Sequence, residues 1–126
     1  ARLMRKHHSG DLIVVDGTGG ERVPVGIVTD RDIVIEVLAS ELDPATTTVA
    51  RIMSARLVIA ATAEDIAVAI ERMQLHGVRR LPVVDHAGHL AGIVTLDDVL
   101  KLHAAQAAAL ANIVSKEQGR EYRSRR

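Results

Sequence analysis

At 126 residues the chain has the length of one compact unit, enough for a single core but short for a catalytic domain with a separate regulator. Its 16 basic and 16 acidic residues balance, which excludes a global field for nucleic acid or an anionic membrane. The absence of Cys excludes a disulfide framework, a thiolate nucleophile and a zinc–thiolate site.

With no Phe, no Trp and one Tyr among 48% apolar residues, the core must be built from Val, Ile, Leu, Met and Ala. Base-stacking platforms for single-stranded nucleic acid are missing. No signal-peptide pattern and no run of about 18 apolar residues occurs, so a soluble, cytoplasmic protein that does not engage a membrane is expected.

The chain opens on Ala1-Arg2-Leu3-Met4-Arg5-Lys6, the inside of a helix with no cap before it, so the natural start is expected upstream. A hairpin follows, with the glycines of Gly17-Thr18-Gly19-Gly20 in an enlarged turn. A helix is predicted from Asp30 to about Ser40. Residues 41–48 have the Pro and Thr content of a linker, and Val49 to Ser54 reads as a helical turn. Leu57-Val58-Ile59-Ala60 is predicted as a strand. Thr62 with Asp65 offers a capped helix start, and Ile66, Ala69, Ile70 and Met73 recur on one helical face. Gly77 ends that helix. Leu81 to Val84 and Leu90 to Val94 form a second hairpin around Asp85-His86-Ala87-Gly88, and a last helix begins near Leu96.

These elements repeat. HHSGDLIVVD, from His7, aligns with HGVRRLPVVD, from His76, and the same offset places Met4 on Met73. GIVTDRD at Gly26 to Asp32 recurs as GIVTLDD at Gly92 to Asp98, the difference in offset falling in the glycine turn, where insertions cost little. The expected fold class is α/β (α+β): two β-α-β-β-α units packed by pseudo-twofold symmetry, the first lacking its leading strand. The expected organisation is a first unit over 1–40, a linker over 41–48, a second unit over 49–103, a helical extension over 104–118 and a basic, disordered tail over 119–126.

Each motif sets Gly, Thr and Asp across a strand-to-helix junction. Gly permits close backbone approach, the helix start offers unpaired N–H groups to an anion, and a carboxylate can accept both hydrogen bonds of a ribose cis-diol. The same Thr and Asp also make an ordinary capping box, which accounts for each copy taken alone.

The paired GIVT motifs, with HGVRRLPVVD upstream and Arg51-Ile52-Met53-Ser54 opening the second unit, resemble a tandem of CBS domains, the cystathionine beta-synthase type, from Ala1 to about His103. The resemblance implies a Bateman module whose clefts bind adenosine-containing ligands: AMP, ADP, ATP, S-adenosylmethionine or NAD. Carried onto this chain, it places Thr95 and Asp98 on the ribose, Arg79, Arg80, Leu81 and Pro82 around base and phosphate, and a polar contact at Ser54. A first site is implied at Thr29 and Asp32. There Ile13 stands in place of Pro82, and Gly10 and Asp11 in place of the two arginines, so the second site is ranked higher.

Other features have plainer readings. His86 and His89 sit on an exposed turn without metal-ligand patterning, so no metal is expected. Arg79 and Arg80 can equally be a solvated pair flanking a strand. The alanine-rich last helix carries Leu110, Ile113 and Val114 as a narrow apolar stripe, suited to a partner helix, most simply in a homodimer, or to packing back on its own unit. Three functions compete: an adenine-nucleotide sensor read by an effector protein, a structural dimerisation module with empty clefts, and an enzyme. No nucleophile signature or phosphate loop is present, so no catalytic residue or cofactor is expected and the sensor is favoured.

Overall fold

The structure, a computed structural model, describes residues 1–124. Helix α1 (Arg2–His7) ends on His8 in the left-handed conformation and leads into a hairpin of β1 (Asp11–Asp16) and β2 (Val23–Thr29). A short helix α2 (Asp30–Asp32) then widens into a π-helical segment, Ile33–Leu38, where one ordinary helix to Ser40 was expected. Ile33, Val34, Ile35 and Val37 are β-branched and crowd an α-helical turn. The wider ladder is seen in the 2.9 Å bond from the Ala39 N–H to the Val34 carbonyl.

Helix α3 (Val49–Ile52) opens the second unit, followed by β3, which is only Ala60–Ala61. The predicted strand over Leu57 to Ala60 is thus displaced. Strand pairing is confined to Ala60 with Val83 and Ala61 with Val84, and Leu57 and Val58 instead line a cleft. Helix α4 (Ile66–His76) is capped by Asp65, whose carboxylate accepts from the Ala67 N–H at 2.9 Å. Thr62, the expected cap, lies too far back: its N–H extends the sheet by donating to the Val84 carbonyl. Gly77 closes α4 at φ 63°, as the sequence predicts.

Strands β4 (Arg80–Val84) and β5 (Leu90–Thr95) complete the second sheet, in the order β3-β4-β5. Helix α5 then runs from Leu96 to Ser124. It passes Gly119, where a disordered tail was expected, the alanine-rich stretch before it favouring continuation. Arg125 and Arg126 of that tail lie outside the described residues. No described helix is long and apolar enough to cross a membrane.

The repeat holds rung by rung. In the first hairpin Asp11 faces Thr29 and Val14 faces Gly26, with a register shift between Val14 and Val15. In the second, Arg80 faces Thr95 and Val83 faces Gly92, with the shift between Val83 and Val84. Met4 and Met73 are both buried, and the main core gathers Ala60, Ala69, Met73 and Leu81 beneath Val58, Val78, Val83 and Val94.

Among the described residues, two backbone contacts join the units. Ser54 forms an antiparallel bridge to Ile27 through bonds of 2.9 and 3.0 Å, so the entry to the second unit adds a rung to the sheet of the first. At the other end the Leu90 N–H donates to the Arg22 carbonyl at 2.7 Å.

Candidate functional site

Both repeated motifs form the same closed cap. The Thr29 N–H and hydroxyl both donate to Asp32 Oδ2, at 2.8 and 2.9 Å, while the Asp32 N–H donates back to Thr29 Oγ1 at 3.1 Å. Thr95 and Asp98 repeat the pattern at 3.0, 2.8 and 3.2 Å. The Thr95 hydroxyl, the Thr95 N–H and the Lys101 charge hold the Asp98 carboxyl below its ordinary range. In each cap a single carboxylate oxygen, Oδ2, takes both donors from threonine. Oδ1 is not used by the cap and remains as an acceptor.

What surrounds the caps differs from the sequence expectation. A cleft of about 280 Å³ is lined by Thr29 and Asp32 together with Ser54, Arg56, Arg79, Arg80 and Pro82. Its apolar wall comes from Ile27, Leu57, Val58 and Val78. The arginine pair assigned to Thr95 and Asp98 therefore stands beside the first motif as well. The start of β4 and the end of β2 line this one cleft, and the residues leading into β1 share a second with Thr95, so each unit brings its strand-start residues near the other unit's cap. Pro82, almost wholly covered, forms part of the floor. Leu81 is excluded from the cleft: it is fully buried at 0% exposure in the core, because strand alternation turns it away from Arg80 and Pro82.

A second, more polar cleft contains Thr95, Leu96, Asp97, Arg79 and Arg80 with His8, Ser9, Gly10 and Asp11. Asp97, not Asp98, lines it. Its apolar wall is nearly gone, since neither Ile13 nor Ile93 reaches it. The charges also differ: the first cleft opposes one carboxylate, Asp32, with three arginines, whereas the second sets Asp11 and Asp97 against the shared pair.

Arg56, Leu57, Val58 and Val78 were not singled out as site residues from the sequence. A basic residue directly before an apolar pair, in the segment bridging the two units, was the available signal for the first three. Among the described residues no group of three or more His, Asp or Glu side chains is arranged to hold a metal ion.

The CBS domain profile matches residues 1–39 and 49–105. An uncharacterized protein of Methanopyrus kandleri is 33% identical over 94% of this chain and 59% of its own length. The CBS domain-containing protein YhcV of Bacillus subtilis is 37% identical over 79% of this chain and 66% of its own. The chain thus spans somewhat less than two thirds of these relatives. Among solved structures, the CBS domain pair of protein MJ0100, in complex with 5′-methylthioadenosine and S-adenosyl-L-methionine, superposes with a TM-score of 0.68 at 28% identity, covering 83% of this chain and 78% of that one. The CBS domain protein PAE2072 of Pyrobaculum aerophilum, complexed with AMP, gives 0.66 at 25% identity, covering 77% and 71%.

Proposed function

The chain belongs to the CBS-domain family, as a pair of its units, and from that premise we propose that it is a regulatory, non-catalytic module that binds an adenosine-containing ligand in the cleft between the units. The carrying observation is the convergence of Thr29 and Asp32 from one unit with Arg56, Arg79, Arg80 and Pro82 from the other. The free oxygen of Asp32 suits a ribose hydroxyl, the aliphatic wall of Ile27, Leu57, Val58 and Val78 suits an adenine ring, and the arginines suit phosphate. The two similar CBS structures hold AMP and sulfur-containing adenosine compounds, which supports the ligand class.

Because the cleft is composite, a ligand that touches both units favours the arrangement that closes on it, and shifts populations by its differential affinity. We read this shift as the signal, passed to a separate effector protein. We rank the cleft with Thr29 and Asp32 above the one with Thr95, because it carries the apolar wall and the larger excess of arginine over carboxylate.

A calorimetric and thermal-shift panel of AMP, ADP, ATP, S-adenosylmethionine and NAD tests the proposal. A ligand at about 100 times its Kd raises stability by roughly 2.7 kcal/mol. Asp32→Ala is expected to abolish the shift and Asp98→Ala to retain most of it. No shift from any adenosine compound at millimolar concentration overturns the reading in favour of a structural pairing module.

That second reading has an observation of its own: Leu110, Ile113 and Val114 are 65%, 61% and 53% exposed on α5. Such a stripe fits a helix of a second copy, and a homodimer is compatible with ligand sensing.

A further inference from the structure

Asp11 and Arg80 occupy equivalent positions in the two repeats, at the starts of β1 and β4 and opposite Thr29 and Thr95. They also form an ion pair with each other, Asp11 Oδ1 with Arg80 Nη1. Two equivalent positions meet only close to the axis that relates the units, so this pair stands at the centre of the module. Two copies of Arg80 facing each other there would repel; the exchange of Arg for Asp in the first unit makes the centre attractive. Arg80 lines both clefts, whereas Asp11 lines only the second.

We propose that Asp11 is a specificity-determining residue of the module, which holds Arg80 in the central ion pair and so limits the number of phosphate charges that a cleft ligand can carry. The inference rests on the cleft reading above. A phosphate chain reaching Arg80 must displace the Asp11 carboxylate or lie beside it, and the like-charge cost grows with each added phosphate. A ligand with few or no phosphates leaves the pair intact. The Asp11 side chain is only 16% exposed and that of Arg80 34%, so solvent screens this competition less than it screens an open surface pair.

The test is the affinity of adenosine, AMP, ATP and tripolyphosphate for the wild type, Asp11→Asn and Arg80→Gln, measured by calorimetry at one fixed ionic strength. In Asp11→Asn the affinity for ATP and tripolyphosphate is expected to rise roughly tenfold or more, that for AMP less, and that for adenosine to stay within about twofold. In Arg80→Gln the polyphosphates weaken while adenosine holds. In the double variant the gain from Asp11→Asn shrinks, which a merely structural role for Asp11 does not produce. Equal changes for all four ligands, or unchanged tripolyphosphate binding in Asp11→Asn, overturn the proposal. Tripolyphosphate separates the two readings: if no adenosine compound binds but the tripolyphosphate gain appears, the adenosine cleft fails and the role of Asp11 stands. Should Asp11→Asn fail to fold, the Arg80→Gln arm decides, and polyphosphate affinity unaltered there sinks the idea.

Discussion

Met53 fills the space over Gly26: a Cβ built on that glycine overlaps the Met53 sulfur and comes within 2.9 Å of its Cγ. A Cβ built on Gly92, the same place in the other repeat, meets no heavy atom within 4 Å beyond its chain neighbours. The two glycines of the doubled motif therefore do different work, one admitting the segment that enters the second unit and one standing on an open face. Gly26→Ala forces the flexible, part-buried Met53 side chain to move and should lower stability by up to about 1 kcal/mol. Gly92→Ala should be neutral or stabilising by up to about 1 kcal/mol, since Gly weakens a strand. Urea melts of the two single variants distinguish them, and equal losses contradict the asymmetry.

Leu81, assigned to the ligand from the resemblance, belongs to the core with Ala60, Ala69 and Met73. Leu81→Ala should cost about 2–5 kcal/mol, while Arg79→Ala should change stability by less than about 1 kcal/mol and act on ligand affinity. A melt that ranks the two the other way contradicts this placement.

Much of this was legible locally. The left-handed Gly77 ending α4, the two hairpins, the glycine turn and the threonine–aspartate caps each follow from a few neighbouring residues. The position of Leu81 was also available, because a period of two on β4 sets it on the opposite face from Arg80 and Pro82. The cleft was not legible. Which cap faces Arg79 and Arg80 depends on how two similar units pack, and a repeat aligned with itself carries no record of which copy's strand start meets which copy's helix start. The same ignorance made Asp11 look only like a lost phosphate contact, when it is the partner of Arg80. The short β3 escaped for a different reason, since its pairing with Val83 and Val84 is set by residues distant in sequence, while the π-helical turn after Asp32 differs from an ordinary helix by one residue of hydrogen-bond register, which the apolar pattern does not resolve.

Glu64 offers a pH test. Its two carboxylate oxygens receive Arg72 Nη1 and Nη2 at 2.7 and 2.5 Å, and the Ala61 N–H donates to it at 2.9 Å. The Arg72 hydrogen bonds, followed by that of Ala61, hold the Glu64 carboxyl below its ordinary value of 4.5. A group whose pKa is depressed by folding stabilises the fold above the unfolded value, and that contribution is lost as pH falls through the folded value. Wild type should thus melt above Glu64→Gln at pH 7, with the gap closing as the pH drops below 4.5. The gap should also narrow in high salt, because the pair is part-exposed. A gap independent of pH across this range assigns the effect of Glu64 to packing.

Helix α5 makes a demand that its own unit does not meet. Its 29 residues span about 43 Å, and from Leu100 to Ser124 every residue but Gly119 is exposed. Alanine propensity supports such a helix, but the stripe of Leu110, Ile113 and Val114 gains nothing until it is covered. The net charges favour an antiparallel second copy: Asp97 and Asp98 outnumber Lys101 at the start, and Lys116, Arg120 and Arg123 outnumber Glu117 and Glu121 near the end, so reversing one helix against the other sets a net acidic end beside a net basic one. Chain mass from light scattering should therefore be that of a dimer at micromolar concentration. Leu110→Glu with Ile113→Glu should make it monomeric with little effect on the unfolding of the two units, since neither side chain touches their core. A wild type that remains monomeric at high concentration, or a double variant that stays dimeric, removes α5 as the pairing element and leaves the faces of the two units to provide any assembly.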